Sequence, residues 1–168
     1  MILNNVELYY VRMNPDRPEK SQDKNKPDFW SCQIRTEDKE VKNAWQEANL
    51  RVKAMVPDEG EPFYQATFRR KTLNQAGKEA VCPELVNGNM DPVDSDTVGN
   101  GSIGNIRLFQ HDYAAGDGYA AGIASVLMGV QLTKHIVYVQ DKEEFSKTET
   151  EVISPETKSM VEEDDVTY

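Results

Sequence analysis

Cysteine is almost absent from this chain. Cys32 and Cys82 are the only two in 168 residues, enough for one bridge at most, which excludes a disulfide scaffold and suits thiols in a reducing compartment. No run approaches the roughly 18 consecutive apolar residues of a membrane span, and Met1-Ile2-Leu3-Asn4-Asn5 lacks the basic and apolar blocks of a signal peptide. A cytoplasmic protein without a membrane partner is expected. Histidine is equally scarce. His111 and His135 could join the two cysteines only as a four-ligand set with no two members at knuckle spacing, so neither a zinc site nor any other cofactor is expected. There is no Gly-x-Ser-x-Gly elbow and no paired His-Glu arrangement to mark a catalytic centre.

Positive charge is also in the minority: 19 Lys and Arg against 29 Asp and Glu, a net of −10. The imbalance is not uniform. Residues 141–168 hold ten acids and three lysines, a net of −7, leaving −3 on residues 1–140. A near-neutral body of domain size, 1–140, is thus joined to an acidic tail, 141–168. The tail carries Pro155 and many Ser, Thr and Glu without a sustained helical or strand period, a composition that cannot offset its ordering entropy. It ends in Glu162, Glu163, Asp164, Asp165, Val166, Thr167 and Tyr168, an anionic run closed by an aromatic ring.

The body reads as mostly strand. Val6–Met13 is rich in β-branched and aromatic residues, and Asn14–Pro27 is a polar, proline-containing loop. In Asp28–Arg35, Trp30, Cys32 and Ile34 share one face and Phe29, Ser31, Gln33 and Arg35 the other, so the apolar trio should meet the core. One helix follows, with Thr36 as expected N-cap, Val41, Ala44, Trp45, Ala48, Val52 and Met55 at helical spacing, and Pro57 as its stop. Pro62–Thr72 alternates again, with Tyr64, Ala66 and Phe68 opposed to Phe63, Gln65, Thr67, Arg69 and Lys71. Asn74–Gly104 should be a surface excursion with few core residues. Ile103–Gln110, Ala120–Leu132 and a last strand at His135–Val139 complete the set. The expected fold is mainly β: a five- or six-stranded antiparallel barrel of the OB type with one helix and a disordered acidic tail.

Two motifs point to other chemistries. Gly99-Asn100-Gly101-Ser102-Ile103-Gly104 spells G-x-G-x-x-G, but no buried strand precedes it and no helix follows to receive a pyrophosphate. A turn lying close against other backbone explains the glycines better. Asp91, Asp94 and Asp96 are the carboxylates a metal-dependent nuclease would need, and they carry the alternative functional reading; turn-forming roles are the simpler account.

What the strands do show is basic residues interleaved with aromatic ones. Phe29 shares a face with Arg35, and Phe63 with Arg69 and Lys71. Arg107 shares one with Phe109, and Lys134 lies near Tyr138. Rings that stack on any base, beside cations that follow phosphates, are what a groove for unpaired nucleic acid requires. Arg35, Arg69, Arg70, Lys71, Arg107 and Lys134 are the leading candidates, followed by Phe29, Phe63 and Phe109, with Tyr9 and Tyr113 last. No catalytic residue is assigned.

The Gly104-Asn105-Ile106-Arg107 strand start, the Gly-x-x-x-Val-Gln-Leu stretch ending at Leu132 and the tail from Asp141 together resemble the single-stranded DNA-binding proteins of tailed bacteriophages. The resemblance spans most of the chain. It implies an OB fold and binding of single strands without sequence preference during replication and recombination. It further implies a tail that contacts replication proteins such as the polymerase or helicase-primase, a homodimer, and residence in the cytoplasm of an infected bacterium. In that setting the tail would compete with DNA for the body's cationic groove. The body's weakly negative balance departs from a basic DNA binder and demands a local positive surface.

Overall fold

Alternation of buried and exposed side chains governs the whole architecture. The structure, a computed structural model, describes residues 1–139 and 148–152. Seven strands run β1 (Ile2–Arg12), β2 (Phe29–Thr36), β3 (Lys53–Met55), β4 (Phe63–Lys71), β5 (Glu84–Val86), β6 (Ser102–Tyr113) and β7 (Gly122–Lys134), with helix α1 (Lys39–Glu47) between β2 and β3. Antiparallel pairing joins β4 to β2, β2 to β1, β1 to β6 and β6 to β7. A parallel contact at Arg69 and Val126 joins β7 back to β4 and closes the ring. The result is an OB-like five-stranded barrel with mixed pairing, not a purely antiparallel one, and β3 and β5 extend its free edges.

The inward positions are those the alternation predicts: Trp30, Cys32 and Ile34 on β2, Ala66 and Phe68 on β4, and Leu8, Ile106, Leu108, Leu127 and Leu132 on the neighbouring strands, all buried. Burial pushes the Cys32 thiol up to about 12 and that of the half-buried Cys82 up to about 11, and both are free. Among the described residues no helix is long and apolar enough to cross a membrane.

Three local expectations are corrected. The helix starts two residues later than expected, because Asp38 rather than Thr36 is the N-cap and accepts from the Glu40 amide at 2.8 Å. The Thr36 hydroxyl instead accepts from the Asp38 amide. The helix also stops early: Asn49 adopts φ 65°, and the Leu50 amide reaches back to the Trp45 carbonyl at 3.0 Å, a left-handed terminus that turns Leu50 into the core. Val52 and Met55, read as helical by spacing, therefore belong to the loop and to β3.

The excursion 74–104 contributes more to the core than its composition suggests. Leu85, Val86 and Val98 are buried, and Ser95 is buried in a short 3-10 turn, Ser95–Thr97. Last, His135–Val139 is not a strand of the sheet. Only Val137 makes a bridge, to Val98, and Ile136, Val137, Tyr138 and Val139 are exposed.

Candidate nucleic-acid interface

The outward face of β1, β2 and β4 carries the residues that stack. Arg35 lies on the middle strand, opposite Glu7 on β1 and Gln65 on β4. Its guanidinium sits 4.1 Å from the Tyr9 ring centroid and 4.4 Å from that of Phe63, so it is flanked by a ring from each neighbouring strand. The Gln33 amide oxygen accepts from its Nε at 2.7 Å. Farther along the same face Arg69 lies opposite Ser31, its guanidinium 4.3 Å from the Phe29 ring, and Lys71 stands exposed opposite Phe29. Burial, together with the nearby Glu7 carboxylate, raises the Tyr9 phenol above its ordinary value, so it stays protonated and donates to Glu7 at 3.2 Å.

The face continues across the barrel closure. Arg69 pairs with Val126, and Val126 with Phe109, so Phe109 stands two strand spacings, about 9–10 Å, from Arg69 on the same outward surface. Phe109 is 56% exposed, and its ring stacks with His111 at 5.9 Å.

The ion pairs of the described residues separate the cations into two groups. Arg12, Arg17, Lys20 and Arg107 are paired with Glu19, Asp96, Asp28 and Glu84. Arg35, Arg69 and Lys71 belong to no such pair and keep their charge on the aromatic face.

The other sequence candidates lie elsewhere. Arg70 points to the opposite side of β4, with its Nη1 3.0 Å from the Met128 sulfur. Arg107 contacts Glu84 at 3.3 Å and lines a separate cleft of about 210 Å³ with Asn4, Asn105 and Gln131. Lys134 shares the outward row of Arg35 but is separated from it by Ile103 and Glu7. Tyr113 is at the tip of the β6–β7 hairpin, bonded to Arg51 and 6.0 Å from Tyr119. Glu162, Glu163, Asp164, Asp165 and Tyr168 lie outside the described residues.

Tyr10, exposed beside Tyr9 with ring centroids 6.4 Å apart, was missed by strict alternation. The chain carries a signal for it. Val6 and Leu8 are buried at even positions and Val11 and Met13 at odd ones, a change of phase that requires a bulge between them. The bulge is present: Tyr9 faces Gln33 while Arg12 faces Ser31, so β1 has one residue more than β2 and two successive tyrosines turn outward.

The aspartates of the nuclease reading do not converge. The Asp94 side chain caps the 3-10 turn by accepting from the Asp96 amide, Asp96 pairs with Arg17, and the Asp91 amide donates to Asn87. Among the described residues no group of three or more His, Cys, Asp or Glu is placed to hold a metal ion. The G-x-G-x-x-G run forms a turn pressed against backbone: a Cβ on Gly99 would meet the Ile136 carbonyl at 2.9 Å, and Gly101 has φ 92°.

No protein-family model and no curated protein matches the chain. Solved structures do. A single-stranded DNA-binding protein from bacteriophage Enc34 in complex with single-stranded DNA is similar with a TM-score of 0.53 at 14% identity, over 86% of this chain and 88% of that one. A second structure of the Enc34 protein gives 0.50 at 13%, over 85% and 86%. The single-stranded DNA-binding protein gp2.5 of bacteriophage T7 gives 0.53 at 12%, over 87% and 97%. At these identities the likeness establishes a shared fold across most of the chain.

Proposed function

We propose that this protein binds single-stranded DNA without sequence preference and without catalysis, protecting it during phage replication and recombination in the infected cell. The observation that carries the reading is the β1–β2–β4 face, where Arg35 and Arg69 lie against Tyr9, Phe63 and Phe29 and, among the described residues, belong to no ion pair. Rings and planar guanidinium groups there offer stacking surface to any base, and the free positive charge meets phosphates. The similarity to phage single-stranded DNA-binding folds supports the same conclusion. The acidic tail, in this reading, recruits replication proteins, and a homodimer is the proposed assembly.

Fluorescence anisotropy of a labelled oligothymidylate, titrated with protein at several salt concentrations, tests the function. Saturable binding that weakens with salt is expected. Incubation with magnesium should leave the oligonucleotide intact; cleavage by the purified protein would favour the nuclease reading. Intrinsic fluorescence is a poor readout, because Trp30 and Trp45 are each only 5% exposed.

A further inference from the structure

We infer that Tyr10 is a base-stacking residue of this face and that Asn100 is the residue that positions it. The inference rests on the single-stranded DNA reading and adds to it a ring and its support. Tyr9 and Phe63 each have a face covered by Arg35, and Phe29 has one covered by Arg69. The Tyr10 ring is farther from Arg35, at 5.5 Å, and the residue is 47% exposed, so it presents open aromatic surface beside the cation.

Its backbone is unusual. Tyr10 has φ 50°, in the left-handed region that disfavours a residue with a bulky side chain. Such a conformation persists when the surroundings over-determine it. On one side of the bulge the Asn100 side-chain oxygen accepts from the Tyr10 amide at 2.9 Å, and the Gly101 amide donates to the Leu8 carbonyl at 2.9 Å. On the other side the buried Ser95 hydroxyl donates to the Val11 carbonyl and accepts from the Met13 amide, both at 2.9 Å. The clamp holds Leu8, Tyr10, Val11 and Met13 in a register that regular pairing would not give, and its product is the second tyrosine on the face. The glycine-rich run thus serves the interface through Asn100, not by binding a nucleotide.

Two oligonucleotides separate stacking from charge: oligothymidylate and the same sugar–phosphate chain without bases. Tyr10→Gly suits the left-handed backbone and removes the whole side chain, ring included. It should weaken oligothymidylate binding about 5- to 150-fold while leaving the abasic chain and the salt dependence unchanged. Tyr10→Phe should bind like the parent. Asn100→Ala should show the same base-dependent loss and add nothing to Tyr10→Gly in a double-mutant cycle, and Asn100→Asp, which keeps the acceptor, should retain the base-dependent difference. Unimpaired binding by Tyr10→Gly, or equal losses on both oligonucleotides, would overturn this inference alone. Failure of the parent protein to bind either chain would overturn the single-stranded DNA reading and this inference with it.

Discussion

Replacing Arg35 tests the central geometry of the aromatic face. Its guanidinium makes two ring contacts at 4.1 and 4.4 Å and a hydrogen bond to Gln33. Each ring contact contributes about 0.5–1 kcal/mol at a partly exposed site, so Arg35→Ala should cost about 1–2 kcal/mol of stability before the part-buried hydrogen bond to Gln33 is counted. For a chain of this size that corresponds to a fall in melting temperature of roughly 2–8 °C. On the proposed function the same variant also removes one phosphate partner and should lower the slope of log affinity against log salt by about 0.7. Arg35→Lys separates the two effects, because an ammonium keeps the charge but cannot present a flat surface to two rings. It should melt nearly as low as Arg35→Ala yet retain the parental salt slope. Thermal unfolding followed by circular dichroism, paired with salt-dependent anisotropy, reads both quantities. If Arg35→Lys melts with the parent, the ring contacts do not hold the face together and the reasoning fails.

Arg69 and Arg70 are adjacent in sequence but lie on opposite faces of β4, so Arg69→Ala should weaken oligothymidylate binding several-fold while Arg70→Ala leaves it within about twofold; equal effects in anisotropy would refute the face assignment. The Asp28 carboxyl is held below its usual range, first by the Lys20 hydrogen bond and then by the Ser21 amide. The stabilisation it gives the Asn14–Pro27 loop is present above the unfolded carboxyl value and is lost as pH falls through the folded one. The protection of the Ser21 amide relative to its intrinsic exchange rate should fall on acidification below about pH 4, and Asp28→Asn should abolish that pH dependence. A Cβ on Gly104 would lie 2.4 Å from the Gln131 carbonyl, which is backbone and cannot swing away. Gly104→Ala should therefore destabilise by about 1–3 kcal/mol in a denaturant titration, and a neutral result would mean that β6 and β7 separate easily at this point.

Much of the barrel was legible because period-two patterning acts directly on burial: Trp30, Cys32 and Ile34 define the inner face of β2, and Phe29 and Arg35 the outer one. The helix was legible in place but not in length. The helical spacing of Val52 and Met55 competes with a chain reversal at Asn49 that depends on the tertiary burial of Leu50. β5 escaped notice because three residues, Glu84–Val86, are too few to display a period, and their pairing with β7 is a long-range event. The basic and aromatic composition of the candidate interface was visible, but which cations stay unpaired among the described residues was not. That depends on neighbours such as Glu84, which meets Arg107 only once the sheet has formed. His135–Val139 has strand composition yet finds just one bridge, because it lies against the irregular 97–99 segment and not against a strand.

The chain leaving β7 does not depart freely. The Gly99 amide donates to the Ile136 carbonyl at 2.7 Å, the Ile136 amide to the Ser102 hydroxyl at 3.0 Å, and the Tyr138 amide to the Thr97 carbonyl at 2.7 Å. Any tension applied to the carboxyl-terminal extension by a bound partner is consequently delivered at this splice, one residue away from Asn100. Under the proposed function, gripping a strand and being gripped by another protein would share a single mechanical anchor.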